Sequence, residues 1–191
     1  MERKMSTEKM VLGAILTALV IVLQLVASIC GRFGFFTINL SLVPIVIGAA
    51  LCGVGVGAWL GFVSGCVVLG MDSAAFLAVN PIATVVVVLA KGILCGIAAA
   101  WVFNLLKKKN IYVAVIASAI VCPIVNTGIF FLGCMAFFVP FIEAKIAEMS
   151  FAGNAAQFVI FVFIGINFIL EMVVNAVLSP IIVRVLKARK A

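Results

Sequence analysis

Asn80-Pro-Ile-Ala-Thr-Val-Val-Val-Val-Leu-Ala-Lys-Gly-Ile-Leu-Cys-Gly-Ile-Ala-Ala-Ala-Trp-Val-Phe103 decides the fold. Lys91 apart, the run carries no charge, and it is long enough to cross a bilayer. A helix beginning near Pro81 places the Lys91 ammonium roughly 15 Å deep, at about 1.5 Å per residue. That is the middle of a hydrocarbon core of about 30 Å. Insertion of a lysine there costs roughly 2.5–3.5 kcal/mol, so neighbouring groups must offset it. A lysine in such a place points to function by default, and its partners are the next thing to seek.

The surrounding composition fits a membrane helix. Of 191 residues, 67% are hydrophobic and 10% charged, and mean hydropathy is +1.45. These values exceed what a soluble domain carries, and no stretch is polar enough for a separate aqueous domain, so residues 1–191 read as one membrane domain. No nucleotide-binding loop occurs, so energy for transport must come from an ion gradient or another chain. The net charge of +7 tracks membrane orientation and not nucleic acid. Histidine is absent, which removes histidine-dependent metal sites and Ser-His or Cys-His catalysis. The six cysteines form no CxxC pair and read as small apolar fillers. The basic start Glu2–Lys9 precedes an apolar stretch too long for a cleaved signal, which reads instead as a first helix.

Helices are expected over about 10–30, 40–52, 56–70, 81–105, 111–138 and 157–184. The stretch Leu40–Gly70 is the ambiguous one, but the three glycines of Leu51-Cys-Gly-Val-Gly-Val-Gly57 favour a break in its middle. Charge then fixes the count. With a break, six crossings put Arg3, Lys4, Lys9, Lys107–Lys109, Arg184, Lys187, Arg189 and Lys190 on one side. Only Arg32 and Lys145 lie opposite, so ten cations face two. The expected fold is an all-α integral membrane six-helix bundle with both termini cytoplasmic. Its outer loops are longer and more aromatic than its inner turns, and the third contains a short interfacial helix around Glu143–Glu148. This suggests a cavity opening outward.

Polar residues recur at the depth of Lys91. Asn126 lies near the centre of the fifth helix, and Asn167, Glu171 and Asn175 form an i, i+4, i+8 stripe on the last. Asn80 and Thr84 lie close to the Lys91 face. Buried amides and charges at one depth require each other, so these helices converge. Two readings stand. Lys91 and Glu171 form an ion pair that locks the bundle, or they are the polar wall of a binding cavity; Asn175, a turn deeper, reads as packing. Arg32, among Phe33, Phe35 and Phe36, suits either a ligand carboxylate or lipid phosphate. Asn39 stands at the end of the same loop and joins the candidate site. Gly57, Gly61 and Gly65 repeat at four-residue spacing, as do Gly92, Gly96 and Ala100, which lets helix backbones approach closely.

The chain resembles the S components, the substrate-binding membrane subunits of energy-coupling factor (ECF) vitamin importers. The size, the six expected helices, Ala14-x-x-x-Ala18, Asn80-Pro-Ile-Ala-Thr…Lys91-Gly92 and Leu42-Val-Pro-Ile-Val-Ile-Gly-Ala…Gly57-Ala-Trp-Leu-Gly61 carry the resemblance over nearly the whole length. It implies a subunit without enzymatic activity or cofactor in a prokaryotic cell membrane. Such a subunit binds a vitamin in an outward pocket and docks on a membrane coupling subunit driven by two ABC-type ATPases. By the same resemblance Ala14 and Ala18 are docking residues, and Lys91, Asn126, Asn167 and Glu171 belong to the pocket. Lys91 with Arg32 suits a carboxylate ligand, and the amides suit hydroxyl or amide groups. Pantothenate fits that set, with riboflavin or folate as alternatives. A different class, an autonomous secondary transporter coupling ions through Lys91 and Glu171, predicts an inverted repeat, and none is evident. A membrane enzyme lacks both histidine and an acidic metal cluster.

Overall fold

The computed structural model describes residues 7–32 and 39–188, and its elements are helical throughout. They are α1 (Thr7–Arg32), α2 (Leu42–Cys52), α3 (Val54–Met71), α4 (Ala74–Val79), α5 (Pro81–Leu106), α6 (Ile111–Phe137), α7 (Val139–Glu148), α8 (Ala155–Phe158), a π-helical turn (Val159–Ile164) and α9 (Gly165–Ala188). Local chemistry sets the boundaries. The Asn80 side chain accepts from the Ala83 amide at 3.1 Å and Pro81 takes the first helical position, so α5 starts there. Asn110 likewise accepts from the amides of Tyr112 and Val113 to start α6. The expected break in 40–70 falls at Gly53, whose φ of +97° suits a residue without Cβ.

Four helices (α1, α3, α5 and α6) are long and apolar enough to cross a membrane, and the pair Ala155–Ile164 with Asn167–Leu178, bent by 46°, makes up to a fifth. The expectation of an unbroken last helix over 157–184 is therefore corrected. The Gly165 amide donates to the Ile160 carbonyl five residues back, and Gly165 itself has φ of +27°. This π-type winding followed by a glycine ends one helical run and starts the next at an angle.

The long helices pack in the order α1, α3, α5, α6, α9, and α2 lies among all five. With 11 residues α2 rises only about 16 Å, roughly half the hydrocarbon thickness. Leu42, Ile45, Val46 and Ala49 of α2 form the centre of a core with Leu16, Val20, Leu60, Ala99, Phe103, Val115 and Val183. Leu12, Leu106, Ile111 and Val183 meet in that same core, so the segments carrying Lys9, Lys107–Lys109 and Arg184 sit at one end of the bundle. A second, smaller core of Cys134, Phe138, Ile142 and Phe158 closes the other end. Between the two, the half of the bundle that α2 does not reach is left unfilled.

The expected small-residue packing is a seam between α3 and α5. A Cβ built on Gly61 would run into the Gly92 carbonyl, one on Gly57 would come within 2.8 Å of the Gly96 carbonyl, and one on Gly65 within 3.2 Å of the Val88 carbonyl. Each step along α3 is matched by a step back along α5, as an antiparallel pair requires. All six cysteines are free, with Cys95, Cys122 and Cys134 buried.

Candidate functional site

The unfilled half of the bundle is a cavity of about 490 Å³. Asn39, just before α2, lines it and is tied to the start of that helix. Ser41 Oγ donates to Asn39 Oδ1 (2.6 Å), lies 2.8 Å from Ser64 Oγ of α3 and 3.0 Å from Gln24 Oε1 of α1. Asn39 in turn donates its backbone amide to Glu171 Oε1 of α9 at 3.1 Å. Four segments are thus tied by one buried polar network just above the apolar end of α2. Satisfied networks of this kind stabilise a unique arrangement, and half-satisfied ones are costly.

Lys91 enters from α5. Its neighbour Gly92 is clamped in the α3 seam, which fixes the rotation of α5 and turns Lys91 into the cavity. Its Nζ lies over the ring of Phe130 from α6, 5.2 Å from the centroid, a cation–π placement. Glu171 lines the same cavity, yet the two make no direct ion pair. Among the described residues, the ion pair in contact is Lys145–Glu148 on exposed α7. Lys91 and Glu171 therefore reach one cavity from different helices, without the ion-pair contact of the first reading.

Asn126, Asn167 and Thr84 also line the cavity, as does Asn39. Thr84 is buried, and its hydroxyl donates to the Asn80 carbonyl at 2.8 Å. Asn80 does not line the cavity, because its side chain is taken by the α5 cap. Asn175 donates to the Glu171 carbonyl within its own helix, in keeping with packing. Arg32 ends α1, but its side chain and the loop residues Phe33, Phe35 and Phe36 lie outside the described residues.

Several lining groups escaped sequence reasoning. Ser28 Oγ donates to Asp72 Oδ2 at 2.5 Å, fastening α1 to the end of α3 at the cavity edge. Asp72 is exposed and Gln24 is buried, and both line the site. An aromatic wall faces them. Phe76 on α4 packs edge-on against Phe130 (5.9 Å), Phe138 (5.1 Å) and Phe163 (6.0 Å), and Phe168 joins the lining. Two signals were present in the chain. Gln24 interrupts the apolar first helix, and Phe130, Cys134 and Phe138 continue the Asn126 face of α6 at four-residue spacing. Phe163 could not be placed in this way, because it lies within the π-helical turn, where the 3.6-residue spacing no longer holds.

Away from the cavity, Ala14 and Ala18 lie exposed on the outer face of α1. Beside them, Trp59 Nε1 donates to Thr17 Oγ1 at 3.2 Å.

The model of one protein family, the ECF transporter substrate-specific component, matches residues 8–183. No curated protein and no solved structure matches the chain. An all-helical chain with several membrane-length helices and a polar cavity has the architecture such a match calls for. By a match over nearly its whole length, the chain belongs to the family of substrate-specific components of ECF transporters.

Proposed function

We propose that the chain is the vitamin-capturing subunit of an ECF-type importer, with the cavity above α2 as its binding site. A member of this family is an integral membrane transport subunit and not an enzyme, and it works with the energising module of the transporter on a small-molecule substrate. The observation that carries the site assignment is the cavity itself. It is built beyond the reach of the short α2, and it holds Lys91 where, among the described residues, no protein acceptor meets its ammonium. A buried donor without an acceptor is costly, and a ligand supplies what the fold withholds.

The end of the bundle bearing Lys9, Lys107–Lys109 and Arg184 is, in this reading, cytoplasmic, with α2 as the short sixth segment and the cavity opening outward. The exposed Ala14 and Ala18 face then docks on the membrane coupling subunit, which is driven by two ABC-type ATPases. Lys91 suits pantothenate through its carboxylate. One observation favours a second ligand reading. Among the described lining residues one ammonium stands against the carboxyl groups of Asp72 and Glu171, and the facing wall is phenylalanine. That wall suits the flat ring of a riboflavin- or folate-type ligand.

The test is binding of a vitamin panel to the purified subunit by calorimetry, paired with uptake into liposomes. One vitamin is expected to bind tightly to the subunit alone, with accumulation only when the coupling module is co-reconstituted. Accumulation driven by this chain alone would instead establish an autonomous transporter. Ala14→Leu is expected to abolish uptake while leaving vitamin affinity within about twofold, since the residue lies on the outer face and not in the cavity. Lost binding in that variant would overturn the docking assignment.

A further inference from the structure

The α5–α6 hairpin turns through Asn104-Leu-Leu-Lys-Lys-Lys-Asn-Ile-Tyr112, which carries three cations and no acid. The amides of Lys107 and Asn110 donate to the carbonyls of Phe103 and Leu106, so helical winding continues through the lysines. Lys108 therefore extends the face of α5 that bears Trp101 and Leu105, seven and three residues before it. That face points away from the cavity, with Trp101 63% and Leu105 56% exposed. The three lysines are not equivalent. Lys107 is used by the fold, because its Nζ donates to Asn104 Oδ1 at 2.5 Å and lies over the Phe103 ring. Lys108 and Lys109 are exposed, and among the described residues no acceptor meets their ammonium groups. The Trp101 indole N–H likewise has no acceptor among the described residues, unlike that of Trp59, which Thr17 takes. Glu8 is the acid at this end among the described residues, and it stands on α1, which packs mainly on α2 and α3.

We propose that Lys108, Lys109 and Trp101 form a binding site for the headgroup of an anionic phospholipid. The two free ammonium groups hold the phosphodiester by charge-assisted hydrogen bonds. The indole N–H meets an ester carbonyl beneath it, and Leu105 with the exposed Leu94 packs along an acyl chain. Seven residues from Trp101 to Lys108 rise about 10 Å, enough to reach from the acyl boundary through the headgroup layer. Cation, indole and aliphatic side chains thus follow one another down the face in the order of phosphate, ester and hydrocarbon in a lipid. A zwitterionic headgroup brings its own ammonium to the two lysines and is disfavoured. The site is separate from the cavity and from the Ala14 and Ala18 face, so it stands apart from the capture function proposed above.

Tryptophan quenching in phosphatidylcholine vesicles tests the site, using a minor fraction of probe lipid brominated near the top of its acyl chain. The probe is phosphatidylglycerol in one set of vesicles and phosphatidylcholine in the other. Trp59→Phe leaves Trp101 as the one tryptophan of the full chain. Brominated phosphatidylglycerol is expected to quench Trp101 about twofold or more beyond brominated phosphatidylcholine. Lys108→Gln combined with Lys109→Gln is expected to remove that excess, and Lys145→Gln, at the opposite end of the bundle, to keep it. The native chain, with both tryptophans, is expected to show the same preference in smaller proportion, so the result does not depend on a variant folding. Equal quenching by the two lipids, or an excess that survives the double substitution, would overturn the site. Displacement of the probe by inorganic phosphate at constant ionic strength would overturn it too, by marking a site for the free anion. Equal quenching together with lost uptake in the double variant would assign the two lysines to the coupling module in place of lipid.

Discussion

The α3–α5 seam and the α6–α9 wall are built from opposite materials. Along the seam, glycines at four-residue spacing bring two backbones together with no room for a methyl group. Along the wall, amides, charges and phenylalanines hold helices apart around open volume, and the last helix is interrupted by a π-helical turn and Gly165. Close packing of small residues in a membrane supplies dispersion contact without a hydrophobic driving force, so it serves where rigidity is needed. Irregular backbone at membrane depth is tolerated where it lines a cavity, and here it does. The rigid seam orients Lys91, and the irregular wall gives the lysine something to face.

The sharpest way to break this contrast is to place a side chain in the seam. Gly61→Leu sets Cβ against the Gly92 carbonyl, a backbone atom that cannot swing aside, so α3 and α5 must part. A loss of about 3 kcal/mol or more is expected, seen as a lower melting temperature in detergent, and vitamin binding should fall with it because Lys91 is the neighbour of Gly92. Gly57→Ala, with Cβ 2.8 Å from the Gly96 carbonyl, should show the same sign and a smaller loss. An unchanged melting temperature in Gly61→Leu would mean the helices are not in backbone contact.

A change in the wall should cost less. Glu171→Ala removes the acceptor of the Asn39 amide and with it the link between the start of α2 and α9. A loss of about 1–3 kcal/mol is expected without ligand, and Glu171→Gln, which keeps an acceptor in place, should recover most of it. Equal loss in both variants would show that the carboxylate charge acting on Lys91 matters more than the hydrogen bond to Asn39.

How far the chain announced all this differs between the two regions. The seam was legible because glycine spacing has one structural meaning in an apolar helix, and close backbone approach is a local consequence of it. Around the cavity, Lys91, Asn126, Asn167 and Glu171 were legible because polar atoms at mid-depth must find company. Asn80 shows the limit of that argument. It lies close to the Lys91 face, but Asn before Pro at a helix start is captured by the nearest free amide before any cavity can use it. The length of α2 was readable, yet its consequence was not, since a short helix makes a cavity only when longer ones surround it. Nothing in Val159-Ile-Phe-Val-Phe-Ile164 marks π-type winding, so the face of Phe163 stayed hidden.

The smallest effect makes the contrast quantitative. Gly128 lies on α6 two residues before Phe130, on an exposed face outside the cavity lining, and a Cβ built there meets nothing within 4 Å. Gly128→Ala therefore adds helix propensity without a clash, and a change of no more than about 1 kcal/mol, in the stabilising direction, is expected in the same thermal assay. Glycine as a residue type is then neutral in this bundle, and its value at Gly61 comes wholly from the carbonyl opposite. A loss at Gly128 comparable to that at Gly57 would instead point to a partner packed on this open face of α6, and glycine's value could no longer be assigned to the seam alone.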